Sequence, residues 1–150
     1  MAANTTPFNT FKSFLMVGSG SGTITYSKLV DIKEIPDLGQ APATLDATTL
    51  SDPAHVYIFD IADTGGSFEF VANYTKSDYS TVKALEGSEQ DLAVWFGATV
   101  SGSTVTPNGD DGKFPFKGFV SVYKKGASVS GVQEMGIVVS PTTLPELATS

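Results

Sequence analysis

The chain has 150 residues and a mass of 15.7 kDa, enough for one domain and short for two of ordinary size. Sixteen acidic residues against nine lysines, with no arginine, give a net charge of −7, which argues against tight binding of nucleic acid because phosphates repel an acidic surface. The absence of cysteine and the single histidine, His55, exclude disulfides, thiolate catalysis and multi-histidine metal centres, and no apolar run approaches the ~20 residues that span a bilayer.

The first predicted elements form a β-hairpin. Composition favours strands along the whole chain, with 14 valines and 17 threonines against nine leucines. Phe8–Val17 is predicted as the first strand and Thr23–Lys33 as the second. Between them, Gly18–Gly22 carries alternate glycines that tolerate positive φ and therefore suit the turn.

A long segment without periodicity follows, from Glu34 to Ala54. Its prolines interrupt any regular element, and its leucines, Leu38, Leu45 and Leu50, show no clear helical or strand spacing. A loop of this length inside a compact domain is usually functional, or disordered when the chain is alone.

Two strands, Val56–Ile61 and Ser67–Tyr74, then bracket a turn at Asp63–Gly66. In the second strand, large apolar residues alternate with more polar ones at a period of two, which predicts one face toward the core. Glu69 falls on the other face and is expected to point away from the core.

One helix is predicted, at Ser77–Glu86. Ser77 is a candidate N-cap, Asp78 suits the positive N-terminal end and Gly87 suits the end of the helix. The apolar stripe is narrow, which predicts that the helix packs against a sheet; it consists of Tyr79, Val82 and Leu85.

The remaining strands are predicted at Leu92–Ala98, Lys113–Lys124 and Val132–Ser140, with a loop at Ser101–Gly112. Several of these strands are apolar on both faces, because Trp95, Phe119 and Tyr123 fall on the side opposite to the main apolar set. Such strands need cover from a helix, a loop or a neighbouring subunit. One short helix cannot cover them all, so we expect the monomer to be incomplete and these three residues to be candidates for contact between subunits.

The charges are distributed unevenly along the chain. Residues 1–30 carry two lysines and no acid, residues 31–111 carry fourteen acids and three lysines, and residues 112–150 carry four lysines and two acids. The three segments therefore have charges of +2, −11 and +2. If they form separate surfaces, copies attract one another head to tail; the alternative is a set of solvated loops of unrelated sign.

Motifs for chemistry are weak. Gly18–Gly22 lacks the spacing and the following helix of a dinucleotide site, and the pairs Asp60/Asp63 and Asp110/Asp111 lack the frame of a calcium loop. A general-base role for His55 has no nucleophile turn to serve, so a surface or strand-edge position is favoured. Paired carboxylates of a glycosidase stay open, since spacing does not say which acids meet. We expect no catalytic residue, no cofactor and no metal.

The order of these features resembles a known family. The segments that carry the resemblance are the acidic loop with its flanks, Leu29–Gly39 and Leu45–Asp52, the strand Gly65–Tyr74 that leads into the short helix, and the closing segment Phe114–Val120 followed by Lys124–Val129. Together, over about residues 20–142, they resemble the major tail tube proteins of long-tailed, non-contractile bacteriophages. These are signatures of fold and assembly rather than of reactive groups.

The resemblance implies a mainly β fold: a sandwich that joins neighbours in a barrel, one short flanking helix, and a long inter-ring loop at about 34–54. It implies one domain over 1–150 with a C-terminal tail from about 141, without a further decorating domain. Six copies would form a ring, and stacked rings would form a hollow tube. Leu38, Leu45 and Leu50 would then contact the adjacent ring, while Glu69, Asp31 and Asp60 are candidates for an acidic lumen.

The implied partners are other copies of the chain, a tape measure protein in the lumen, and terminator and distal tail or baseplate proteins at the ends of the tube. DNA would pass through without specific binding, the location would be the virion tail, reached from the host cytoplasm during assembly, and no membrane would be involved. Two alternatives remain. One is a ring protein of a secretion-system tube, and the other is a β-sandwich module that binds carbohydrate through Trp95 or Tyr123.

Overall fold

A computed structural model describes residues 11–64 and 66–148 of the chain. The fold is mainly β with one short helix, as the sequence predicts. The elements are β1 Ser13–Ser19, β2 Thr25–Val30, β3 Ile32–Glu34, β4 Thr44–Asp46, β5 Tyr57–Phe59, β6 Phe68–Asn73, α1 Lys76–Lys83, β7 Glu89–Ser101, β8 Thr104–Lys124 and β9 Glu134–Pro141.

Seven strands form one antiparallel sheet in the order β2-β1-β7-β8-β9-β6-β3. The two edge strands, β2 and β3, are consecutive in the chain and separated by Asp31 alone. A single residue cannot bridge a flat seven-stranded sheet, so the sheet curls until its edges meet and becomes a sandwich-like roll. We call this part of the molecule the body.

The interior of the body is apolar. Phe68 and Phe116 meet edge to face with their ring centroids 5.6 Å apart, and no polar side chain is buried among the described residues. The fully buried large side chains come from four strands and the helix: Leu15, Phe70, Val82, Leu92, Val94, Met135, Ile137 and Val139. Burial of this interior from water is the main stabilising contribution to the fold.

The helix α1 closes one opening of the roll. Its buried residue is Val82, a member of the predicted stripe, and it lies against β8 and β2. The N-cap is Thr75, whose hydroxyl accepts a hydrogen bond from the Asp78 amide at 3.1 Å, so the predicted cap at Ser77 lies two residues too late. The Glu86 carboxylate then accepts the amide of Val122 at 2.9 Å, which fixes the segment after the helix to β8.

Different segments of the chain lie at the two openings of the roll, and the strand registers show which segment lies at which opening. Strand β6 starts at Phe68 opposite Val139 and ends at Asn73 opposite Glu134. The segment 35–67 joins the body where β6 starts, and we call this the arm end. The loop 125–133 between β8 and β9 lies where β6 finishes, as does the start of α1, and we call this the loop end.

The β7–β8 hairpin is much longer than predicted. The Ser101–Gly112 loop is wrong, because Ser101 pairs with Thr104 and β8 begins there. The irregular part is a bulge at 108–111 opposite Gly97, which has φ +108 and donates its amide to the Lys12 carbonyl at 2.8 Å. Alternating Thr and Val continue the strand pattern up to the turn, so the hairpin projects from the arm end.

Two other element predictions need correction. The segment Glu34–Ala54, predicted as an unbroken loop, contains β4, which pairs with β5 in a separate two-stranded sheet. The predicted strand Thr23–Lys33 is interrupted at Asp31 and divided between β2 and β3. The start of the first predicted strand, residues 8–10, lies outside the described residues. In the part that the structure covers, no helix is long and apolar enough to cross a bilayer.

Candidate assembly surfaces

The most apolar exposed surface is the segment 40–64, which we call the arm. It is bounded by a β-bridge between Gln40 and Asp63 and contains the β4–β5 hairpin. Fourteen large apolar side chains are exposed in the described residues, and half of them lie in this segment of 25. They are Leu45, Leu50, Val56, Tyr57, Ile58, Phe59 and Ile61. A soluble monomer rarely exposes so many neighbouring apolar groups without an interaction to serve.

Local hydrogen bonds hold the arm in shape. Asp46 accepts the amide of Thr48 at 2.9 Å, and the Thr48 side chain, followed by this amide, lowers the pKa of the Asp46 carboxyl. Asp52 accepts the amide of Thr49 at 2.7 Å and closes the turn. The His55 ring stacks on Tyr57 with centroids 6.2 Å apart, its Nδ1 lies 3.8 Å from the Asp46 carboxylate, and its side chain is exposed.

The three leucines predicted as contacts occupy different environments. Leu38 is half-buried and packs against the core, which makes it part of the base of the arm. Leu45 lies on β4 and is 45% exposed, and Leu50 lies near the tip of the arm with its side chain fully exposed. The arm therefore presents Leu45 and Leu50 but not Leu38.

The predicted acids Asp31, Asp60 and Glu69 do not form one cluster. Asp31 lies between β2 and β3 and pairs with Lys28 at 2.8 Å. Asp60 lies on the arm, where its carboxylate accepts the amide of Ile61. Glu69 points away from the core as predicted, on β6.

Glu69 and Tyr123 belong to one cluster on the outer face of the body. The Glu69 carboxylate accepts hydrogen bonds from Lys125, at 2.8 Å, and from the Tyr123 hydroxyl. The Lys125 hydrogen bond and then that of Tyr123 lower the pKa of Glu69, and the same carboxylate raises the pKa of Lys125. Phe119, 48% exposed, lies on the same face of β8. This face is amphipathic rather than a cavity.

Trp95 lies elsewhere and is half-buried. The Lys113 ammonium sits 4.2 Å from the centre of its ring, and the Tyr26 ring lies 5.8 Å away. Burial, and then the Asp91 carboxylate, raise the pKa of Tyr26. One face of the indole is therefore covered within the chain.

A second exposed apolar group, which the sequence analysis did not predict, lies in the loop 125–133. Val129 is 96% exposed and Val132 is 64% exposed. Lys124 and Lys125 precede them, and Lys124 donates hydrogen bonds to the Lys125 carbonyl and to the Gln133 side chain. The sequence signal that could have indicated this surface is the presence of two valines among glycines and serines in residues 124–133, a stretch with two lysines and no acid.

In the described residues, no group of histidine and carboxylate side chains is arranged to hold a metal ion. A comparison with protein-family models found no match for the chain, and a comparison with curated proteins found none. The function proposed below therefore depends on the surfaces described above.

Proposed function

We propose that the protein is a structural subunit of a tail tube of the phage type, not an enzyme. Copies would close into rings, expected to be hexameric, and the rings would stack into a hollow conduit for genome ejection. The tape measure protein, the tail terminator and the distal tail or baseplate proteins would be its other partners, in the virion and, during assembly, in the host cytoplasm.

The observation that carries this proposal is the apolar arm. Six of its seven exposed side chains lie between the start of β4 and the end of β5, and in the described part of the chain this two-stranded hairpin has no second layer. Burial of each such side chain contributes about 1.5–3 kcal/mol, so a surface on a neighbouring copy that covers several of them gains enough free energy to drive assembly. In an isolated copy these side chains stay in contact with water, and this free energy is not gained.

The extended β7–β8 hairpin supports the same function. Pairing of β1 with β7 ends at Phe96 and pairing of β9 with β8 starts at Gly118, so in the described residues Ala98–Ser101 and Thr104–Pro107 pair with each other. The segment 98–107 contains no charged residue. Free strand edges without charge are suited to pairing with another chain, and closure into a ring removes them.

The charge fits a conduit for DNA. A net charge of −7 repels a passing phosphate backbone. Glu69 and Asp31 are each paired with a lysine, so we expect them to contribute less to an acidic wall than their positions in the sequence suggested. Asp60 belongs to the arm and would lie at the contact between rings.

The test is electron microscopy and sedimentation velocity of the purified protein over a concentration series. We expect rings or hollow filaments for the unmodified chain. The double variant Leu50→Ser/Phe59→Ser removes two exposed arm side chains and should remain a folded, unassembled particle with an unchanged melting temperature.

Leu147→Ser is the matched control, because Leu147 is 59% exposed and lies outside the arm. We expect this variant to assemble as the unmodified chain does. The proposal fails if the unmodified protein stays a single particle at high concentration with its assembly partners supplied, or if the arm variant forms normal tubes.

A further inference from the structure

We infer that the arm of one copy docks on the β8–β9 loop of the next copy, so that Val129 and Val132, flanked by Lys124 and Lys125, form the receiving surface. We call these four residues the receiver. The inference rests on the proposed function and specifies the surface that the arm requires.

Topology places the arm and the receiver at opposite openings of the roll. The arm joins the body beside Phe68, whereas the receiver follows Lys124, which pairs with Met135 at the other end of β9. Strand β6 alone has six residues, which span about 17 Å at about 3.4 Å per residue. A separation of this size along the body favours contact between successive copies over contact within one copy.

The two surfaces match in apolar character. Val129 is 96% exposed, below Leu50 of the arm at 108% and above Ile61 at 84%, and Val132 is 64% exposed, close to Phe59 at 71%. Neither surface is covered by the residues that the structure describes, and docking removes both from water at once. The gain is proportional to the apolar area that both copies bury.

The two surfaces also match in charge. The arm contains four aspartates and no lysine, and the segment 124–133, which contains the receiver, has two lysines and no acid. Lys124 donates its hydrogen bonds to uncharged acceptors, so these contacts leave its charge available to an aspartate of the next copy. Lys125 is already paired with Glu69, and Glu134 nearby is paired with Lys33. Lys124 is therefore the principal charge of the receiver.

The same charges disfavour the alternative in which two arms pair with each other. Such a contact would place four aspartates against four with no lysine on either side, and like charges across an interface oppose association. A contact between an arm and a receiver uses different surfaces on the two copies, so it can repeat from copy to copy, and surfaces at opposite openings of the roll favour repetition as a stack.

The chain has no cysteine, which allows the contact to be trapped by a disulfide between introduced cysteines. The test protein is the full chain with Leu50→Cys and Val129→Cys together, assembled and then oxidised. Denaturing gels without reductant should show a ladder of covalent oligomers, because every copy offers one cysteine at each end. Each single variant should give dimers at most.

The matched control replaces Val129→Cys with Val100→Cys, an exposed valine at the arm end. We expect little cross-linking between Leu50→Cys and Val100→Cys. A second variant, Val129→Asp/Lys124→Glu, should raise the concentration needed for assembly by at least about tenfold, the change that corresponds to a loss of about 1.4 kcal/mol, with an unchanged melting temperature.

The outcomes separate this inference from the proposed function. If the unmodified chain never assembles, both fail. If it forms tubes but Leu50→Cys links to Val100→Cys and not to Val129→Cys, or if the receiver variant assembles at the normal concentration, the receiver is wrong and the tube proposal stands. A ladder together with the higher assembly concentration supports both.

Discussion

Phe70 and Phe59 are phenylalanines on short antiparallel strands, yet Phe70 is fully buried and Phe59 is 71% exposed. Strand β6 carries Phe70 between β3 and β9, with the rest of the roll across the interior. Strand β5 carries Phe59 beside the three residues of β4. Apolar side chains and strand propensity are present in both regions, so the difference lies in the second layer, which the body has and which the arm lacks among residues 11–64 and 66–148.

This difference suggests a division of roles. The body is a self-sufficient unit because the roll encloses its own apolar face, whereas a two-stranded hairpin alone is marginally stable in water. The arm gains free energy only when its apolar side chains are buried against another copy. The four predictions below test this division, from the largest expected effect to the smallest.

The largest effect is expected in amide hydrogen exchange of the unassembled protein. Amides in the middle of β9 and β6 should exchange through global unfolding, and those of β4 and β5 through local opening with little free-energy cost. With a global stability of about 5 kcal/mol or more, the rates should differ by about 10³-fold or more. Mass spectrometry or NMR measures this difference, and equal protection of the arm before assembly would contradict it.

The second prediction compares the two phenylalanines directly. Phe70→Ala should reduce the free energy of unfolding by about 3–5 kcal/mol, because it opens a cavity in the core. Phe59→Ala, the matched control, should change it by no more than about 0.5 kcal/mol. Denaturant titration of both variants measures the two changes in the free energy of unfolding. A loss of stability of similar size for both would show that the arm is part of the folding unit.

The sequence predicted the body well for a physical reason. Alternation at a period of two is imposed where one face of a strand meets a core, and Phe68, Phe70 and Ala72 are buried while Glu69 is exposed. The helix was found because an apolar stripe and nearby terminating signals agree locally, although its N-cap is Thr75 rather than Ser77 and it ends at Lys83 rather than at Glu86.

The sequence failed where structure depends on pairing at a distance. Residues 44–46 have no pattern of their own, and they become β4 because Tyr57–Phe59 lies opposite. Leu38 could not be distinguished from Leu50 by type, because whether a loop leucine packs on the core or faces water depends on the path of the chain. The receiver was missed for the same reason, since two valines in a loop show no periodicity.

The β7–β8 hairpin shows a third kind of failure. Asn108, Gly109, Asp110, Asp111 and Gly112 are residues typical of turns, and the sequence therefore predicted a loop. In the structure they form a bulge within a strand pair that continues to Ser101. The Asn108 side chain accepts the amide of Asp110 at 3.0 Å, the hydrogen bond that such a residue makes in a turn, but the chain continues as a strand on both sides.

The third prediction tests whether this bulge belongs to the stable body. Gly97→Ala should reduce the free energy of unfolding by about 1–3 kcal/mol, since φ +108 is strained for a side-chain-bearing residue. Its Cβ would also meet the Asp110 and Asp111 amide nitrogens at 3.0 Å. Gly126→Ala is the control, because a Cβ there meets nothing within 4 Å. Equal stability of the two variants would mean that the projecting hairpin melts independently of the body.

The smallest effect is expected from the outer face of the body, at Glu69. The hydrogen bond from Lys125, and then the one from Tyr123, lower the pKa of this carboxyl in the folded state. A depressed pKa means that the stabilisation is present above the unfolded-state value of about 4.3 and is lost as the pH falls through the folded-state value.

Glu69→Gln should therefore be less stable than the unmodified protein at pH 7, and the gap should narrow as the pH falls below about 4. Urea titrations at several pH values measure this difference in the free energy of unfolding. Glu146→Gln, at an exposed position in the C-terminal segment, is the control for the loss of one negative charge. A gap that stays constant with pH would show that the side chain acts through packing and not through its charge. Because Glu69 is partly exposed and screened by solvent, its effect should remain below those of Phe70 and Gly97, as expected if the enclosed core rather than the surface ion pairs stabilises the body.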